Sequence, residues 1–140
     1  MCMLAGMTAA SRKKAAGAAA NTDIDVRFRL RVARGSIVAI GPGKVALLAA
    51  IRDEGSISAA ARRLGMSYRR AWLLIDELNR SLVAPATHSG QGGQHGGGSA
   101  LTPVGERVLA LYREIDERAA AAAAKQIAEL TALLDTGPAS

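Results

Sequence analysis

Three helical stretches divided by two very short breaks leave this chain few folds to choose from. Between Lys44 and about Asp53, Leu47, Leu48 and Ile51 share one side, and Gly55 ends the run. Ser56 then stands at an N-cap position, and Ile57, Ala60, Ala61 and Leu64 recur at i, i+3, i+4 and i+7. Gly65 closes this second helix, and Ser67 caps a third that runs from Tyr68 to about Ser81. The whole link between the last two is Gly65-Met66-Ser67. Two helices joined so tightly, with an Ala60-Ala61 pair small enough for close approach, read as a helix-turn-helix.

The third helix separates into two faces at 100° per residue. Ala71, Leu74, Ile75 and Leu78 cluster on one side, with Tyr68, Trp72 and Asn79 at its margin. Arg69, Arg70, Leu73, Asp76, Glu77 and Arg80 occupy the opposite half. Trp72 lies toward the apolar side and is expected to anchor the core. Two adjacent arginines in the first turn oppose the helix macrodipole, at a cost of about 0.3–1 kcal/mol each. An external anion explains them better than local stability does; a solvated face paired with Asp76 or Glu77 is the plainer alternative.

The flanks supply the rest of an architecture. Ile24, Val26, Phe28, Leu30 and Val32 alternate with Asp25, Arg27, Arg29, Arg31 and Ala33, predicting a strand with one buried and one basic face. Arg34-Gly35-Ser36 reads as a turn and Ile37 to Ile40 as the returning strand, which Gly41-Pro42-Gly43 then breaks. From Ser89 to Ser99, six of eleven residues are glycine. That run reads as a hairpin loop, or wing, between short strands near Val83 and Ala100, with a linker as the alternative. Thr102-Pro103 starts a final helix reaching about Leu134. Its stripe of Val104, Val108, Leu111 and Ile115 resumes, after alanines 119–124, at Ile127, Leu130 and Leu134. The alanines break heptad phase, so a regular zipper is not supported, whereas self-association through a close alanine contact is. The expected fold is therefore α+β: a winged helix-turn-helix with an N-terminal β-hairpin, a glycine-rich wing and a long C-terminal dimerisation helix. Its expected parts are a disordered tail (1–22), the DNA-binding domain (23–102), the dimerisation helix (103–134) and a flexible end (135–140).

Composition narrows the function. The 140 residues suffice for one modest core, and aromatic residues make only 3% of them, so that core is aliphatic. Cys2 is the single cysteine, which excludes an internal disulfide framework and a cysteine-based zinc site. No uncharged apolar run is long enough to span a membrane, and a cytoplasmic setting is expected. The glycine run lacks the Gly-Lys-Ser/Thr ending of a phosphate-binding loop. His88 and His95 have no third ligand in the sequence pattern, and no Ser/His/Asp arrangement is supported; no metal, cofactor or enzymatic activity is expected. Net charge is +6, unevenly spread: residues 27–80 hold eleven basic and four acidic side chains, net +7, while residues 101–140 hold four and six, net −2. The positive field belongs to the helix-turn-helix segment.

Site assignments follow from this order. Arg69 and Arg70 are placed for base edges, with a bidentate guanine contact in reach, and Ser67, Tyr68 and Leu73 share their neighbourhood. Leu73 suits a thymine methyl. Arg62, Arg63 and Arg80 are phosphate candidates, joined from the wing by His88, Gln91, Gln94 and His95. Val108, Leu111, Ile115, Ala119, Ile127, Leu130 and Leu134 are the candidate dimer interface.

Gly55-Ser56-Ile57-Ser58-Ala59-Ala60-Ala61, Leu64-Gly65-Met66-Ser67-Tyr68-Arg69-Arg70-Ala71-Trp72, and then Ile75, Leu78 and Asn79 resemble the N-terminal DNA-binding domain of the ModE family of molybdate-responsive regulators, itself related to the LysR-type winged helix. The wing glycines, Leu101-Thr102, Gly105 and Leu111-Tyr112 extend the resemblance over roughly residues 26–118. It implies a homodimeric, double-stranded-DNA-binding transcription regulator, with the third helix in the major groove and the arm helix between subunits. The paired molybdate-binding domains of full-length members are not expected within 140 residues, and no residue here supports molybdate or another oxyanion as ligand. Two alternatives use the same fold: a protein-interaction module, suggested by the acidic arm, and a stand-alone oxyanion sensor.

Overall fold

The computed structural model describes residues 23–89 and 98–135. Two strands open the fold, β1 (Val32–Arg34) and β2 (Ile37–Ile40), followed by helices α1 (Pro42–Glu54), α2 (Ile57–Leu64) and α3 (Tyr68–Ser81). Strands β3 (Thr87–Ser89) and β4 (Ser99–Leu101) come next, then α4 (Pro103–Ala122) and α5 (Ala124–Thr131). Residues 28–121 form one compact unit, and the described residues 23–27 and 122–135 lie outside it.

The N-terminal hairpin is much shorter than the alternation implies. β1 and β2 pair antiparallel with Arg34 opposite Ile37 and Ala33 opposite Val38, and a bulge precedes the Val32–Ile40 pair. Residues 23–31 carry no strand, and Ile24, Val26 and Phe28 are exposed. The reason is the partner: β2 has four residues before Gly41 and Pro42, so among the described residues nothing before Val32 has a ladder to join. Of the expected buried face over 24–32 only Leu30 is half-buried, while Ile24, Val26, Phe28 and Val32 are exposed.

Pro42 does more than break the strand. It occupies the first turn of α1, which therefore starts two residues ahead of Lys44. Its missing N–H is one the helix start leaves unpaired anyway. The core lies where α1, α2 and α3 meet. Leu47, Leu48 and Ile51 of α1 are fully buried, as are Ala60 of α2, and Ala71 and Leu78 of α3. Each large aliphatic side chain so buried contributes about 1.5–3 kcal/mol. Leu109 of α4 and Ala86, just before β3, complete it.

The wing strands pair antiparallel, Thr87 with Leu101, His88 with Ala100 and Ser89 with Ser99. The first of them lies four residues beyond Val83, which is fully exposed in a bend and not in a strand. Residues 90–97, most of the expected wing loop, lie outside the described residues, as do the expected tail (1–22) and residues 136–140. The single long helix expected to Leu134 is divided: α4 stops at Ala122, and Ala123 (φ −103°, ψ 11°) separates it from α5. Alanine is the strongest helix former, so intrinsic propensity does not explain this break. Within α5, Ile127 is half-buried and Leu130 exposed.

Candidate nucleic-acid interface

The turn between α2 and α3 is built as its residues require. Gly65 adopts φ +71°, a left-handed conformation that glycine takes without a Cβ clash, and its N–H closes onto the carbonyl of Arg62 at 3.2 Å. The Met66 N–H donates to the Ala61 carbonyl at 3.0 Å. Ser56 and Ser67 cap their helices as expected, each Oγ accepting from the N–H three residues on, at 3.0 and 3.1 Å. Buried Ala60, Ala61 and Ala71 let the two helices approach closely. This packing holds the first turn of α3 outward.

That turn carries Tyr68, Arg69 and Arg70, all exposed, with no acidic residue among them. Among the described residues neither Arg69 nor Arg70 forms an ion pair, because the two carboxylates of α3 are engaged elsewhere. Asp76 pairs with Arg80 at 3.1 Å, and Glu77 pairs with Lys44 at 2.5 Å. The plain alternative, in which these arginines merely neutralise Asp76 or Glu77, therefore does not describe this surface. Arg62 is exposed and likewise without an ion pair among the described residues. Arg63 differs from it. Its guanidinium reaches Asp53 at 3.1 Å and Glu54 at 3.4 Å, and the hydrogen bond it donates to Asp53 leads in raising its pKa above the ordinary arginine value. Arg63 and Arg80 are thus partly neutralised within the chain, and Arg62 is the freer cation.

Trp72 is not a core anchor. It is 46% exposed, and Leu73 beside it is 49% exposed. The core that α3 faces is filled by aliphatic side chains of α1 to α3, with alanine at 71, and Trp72 is not part of it. Ser67 sits at the same edge with its lone pair committed to the cap, leaving its hydroxyl proton to donate.

The wing is held against α3 by contacts that periodicity does not foretell. Asn79 Oδ1 accepts from the Ala86 N–H at 2.7 Å, and its Nδ2 donates to Thr87 Oγ1 at 3.2 Å. Ser99 N–H donates to the Gly55 carbonyl at 2.8 Å, tying β4 to the end of α1. Thr102 caps α4 by accepting from Gly105 N–H at 3.1 Å, while its hydroxyl donates to the Pro85 carbonyl at 2.6 Å. Gly105 lies against the Ala86 carbonyl so closely that a Cβ there would meet its oxygen at 2.1 Å. Lys44 is buried, its Nζ donating to the Val38 carbonyl and to Glu77 at 2.5 Å each, which links β2, α1 and α3. Its signal in the sequence is its place on the i, i+3, i+4, i+7 stripe completed by Leu47, Leu48 and Ile51. His88 is exposed on β3; Gln91, Gln94 and His95 lie outside the described residues.

Of the arm positions, Val108 packs half-buried onto its own domain core, with Leu109 buried beside it. Leu111 and Ile115 are 39% and 45% exposed, Ala119 is half-buried, and Leu134 is exposed. Ile115 and Ala119 line a groove of about 260 Å³ with Phe28, Leu30 and Tyr112, whose hydroxyl donates to the Leu30 carbonyl at 2.8 Å. Among the described residues no group of three or more His, Cys, Asp or Glu side chains could hold a metal ion, and no helix is long and apolar enough to cross a membrane.

Residues 43–106 match the bacterial regulatory helix-turn-helix proteins of the lysR family. The chain is 42% identical over 114 residues to the molybdenum-pterin-binding protein MopB of Rhodobacter capsulatus, covering 78% of this chain and 41% of that protein. It is 38% identical over 92 residues to the transcriptional regulator ModE of Haemophilus influenzae, covering 66% and 34%. With the DNA-binding transcriptional dual regulator ModE of Escherichia coli K12 it shares 39% over 71 residues, covering 51% and 27%. The chain thus spans less than half the length of these relatives. One chain of the solved CbnR_DBD-DNA complex aligns over 63% of this chain and 95% of its own, at 24% identity and a TM-score of 0.49.

Proposed function

We propose that this protein is a sequence-specific double-stranded-DNA-binding transcription regulator acting as a homodimer, a reading supported by the match of residues 43–106 to the lysR-family helix-turn-helix and by the similarity to ModE and MopB. The observation that carries the reading is the pair Arg69 and Arg70, exposed and without an ion pair among the described residues in the first turn of α3, on a surface whose own carboxylates are engaged by Lys44 and Arg80. In this reading α3 enters the major groove with its first turn toward the base edges. Arg69 and Arg70 supply the bidentate donors that guanine O6 and N7 accept. Arg62 fixes register on a phosphate, with Ser67, Tyr68 and His88 in supporting contacts. The homodimer rests on the apolar side chains Leu111, Ile115, Leu130 and Leu134, which stay 39–65% exposed in the single chain.

Selection of bound duplexes from a random library, with mass measurement in solution, tests both parts. The expected site is a pseudo-palindrome whose half-sites lie about one helical turn (34–36 Å), or a multiple of it, apart. Monomeric protein protecting one unpaired half-site would overturn the dimer. Arg69→Ala with Arg70→Ala is expected to flatten sequence preference, each lost base contact costing about 1–3 kcal/mol. Arg62→Ala is expected to weaken all duplexes alike and lower the salt slope by about 1.

A further inference from the structure

The outer face of α3 presents large apolar side chains where a hydrated helix face would carry polar ones. Leu73 is 49% exposed and Trp72 46%. At 100° per residue Leu73 lies on the ridge opposite buried Ala71, Ile75 and Leu78, one turn beyond Arg69, and Trp72 lies on the flank next to Tyr68. Resting on the reading of α3 as the helix that enters the groove, we propose that Leu73 and Trp72 read thymine methyl groups, so that each half-site carries thymine beside the guanine taken by Arg69 or Arg70.

The chemistry commits the patch to DNA over another apolar surface. Any partner covering Leu73 also covers Arg69 and Arg70, which have no counter-charge in the described chain. An apolar protein face would strip water from two guanidinium groups and return nothing for it. A duplex supplies phosphates and guanine acceptors for the arginines, and the thymine C5-methyl is the apolar group on the major-groove edge. Spacing agrees. Arg69 and Leu73 are four residues apart, about 6 Å along the helix at a rise of 1.5 Å per residue. With base pairs about 3.4 Å apart, the thymine falls one or two steps from the guanine.

The test uses the full chain and the duplex recovered by selection, replacing each thymine singly by uracil, which removes one methyl and keeps base pairing. Burial of one such group is worth about fourfold in affinity. The expected result is a loss of that size at one or two thymines in each half-site, and its disappearance in Leu73→Ala or Trp72→Ala. Both side chains are exposed, so the variants are expected to melt like the parent, which circular dichroism checks. Specific binding that is indifferent to uracil at every position overturns this inference and leaves the proposed function standing. A uracil penalty undiminished in both variants overturns it too, by assigning the methyl to another residue. Failure of the chain to retain any sequence overturns the proposed function itself, and with it this inference.

Discussion

Replacing Gly105 by alanine adds one methyl group and is expected to damage the molecule more than most larger changes on its surface. A Cβ at this position would stand 2.1 Å from the Ala86 carbonyl oxygen, 3.0 Å from its carbon and 3.3 Å from its Cα. Ordinary carbon–oxygen contact is about 3.3 Å, so the start of α4 and the segment entering β3 must separate by about 1.2 Å. The obstacle is backbone, which cannot rotate away as a side chain can. The same carbonyl accepts from Thr102 N–H at 2.9 Å, and Gly105 N–H is the donor in the Thr102 cap. Overpacking costs about 1–3 kcal/mol, and loosening those two hydrogen bonds adds about 1 kcal/mol. Alanine returns about 1 kcal/mol at most in helix propensity. The net is a loss of about 1–3 kcal/mol, which for a domain of this size lowers the melting temperature by about 4–24 °C. Gly43→Ala is the internal control, since an added Cβ there meets nothing within 4 Å; it is expected to gain about 0.5 kcal/mol. Thermal and urea unfolding of the two variants against the parent give opposite signs if the reasoning holds. A Gly105→Ala protein that melts at or above the parent would refute it.

Other consequences are equally direct. Removing Glu77 (Glu77→Ala) strands the Lys44 ammonium, whose side chain is 7% exposed, whereas Lys44→Met leaves a carboxylate that is 37% exposed and can hydrate; urea unfolding should show a loss of about 2–3 kcal/mol for the first and about 1 kcal/mol for the second. Burial, then Asp116, holds the Tyr112 phenol above its ordinary pKa of 10.0 against the opposing pull of Arg29 and Arg31. Its contribution is thus complete below pH 10 and lost as pH rises through the raised value; Tyr112→Phe should lose about 1 kcal/mol near neutrality and show a flatter alkaline decline in a pH series of melting curves. Trp72 is the chain's single tryptophan and is 46% exposed, so its emission should be red-shifted and readily quenched by acrylamide in free protein, then blue-shifted on cognate duplex; a buried-type emission in free protein would contradict the surface described above.

The helical frame was legible because its punctuation is chemical: Ser56, Gly65 and Ser67 act through local hydrogen bonds that need no knowledge of the rest of the chain. α2 and α3 accordingly begin and end where capping places them. Errors arose where an element depends on a partner. The alternation from Ile24 to Val32 promises a strand, but a strand needs a ladder, and β2 is too short to provide one. Trp72 lies at the margin of the wheel, where a shift of one position in the apolar face decides between core and solvent; tertiary packing made that decision. Asn79 and Lys44 were visible as residues and opaque in role, because their partners, Ala86, Thr87, Val38 and Glu77, are distant in sequence or on other elements. For the arginines the types and positions were readable, but their freedom was not. That depends on which cations claim Asp76 and Glu77.

This last point turns a basic segment into a candidate site. A net charge of +7 over residues 27–80 attracts polyanions without orienting them. Orientation requires that some cations be spent internally and others left unmatched at one place. Arg63 is drawn to Asp53 and Glu54, Lys44 to Glu77 and Arg80 to Asp76. Each pairing removes either a competing cation from the surface or an anion that would repel phosphate near α3. Within the two helices of the turn, Arg62, at the end of α2, and Arg69 and Arg70, at the start of α3, have no ion pair among the described residues and flank the tight turn at Gly65, on helices whose alanine contact fixes their mutual placement. The pairing pattern also makes a prediction that total charge does not. Asp76→Asn frees Arg80 and Arg69→Gln removes a cation, changing net charge by +1 and −1. If charge alone governed binding, the double variant would match the parent on every duplex. If placement governs, Asp76→Asn raises affinity for all duplexes alike, while Arg69→Gln lowers it chiefly for the selected site. The double variant should then bind random DNA more tightly than the parent and still have lost about 1–3 kcal/mol of preference for its own site, a difference that competition binding against both duplexes at one salt concentration measures directly.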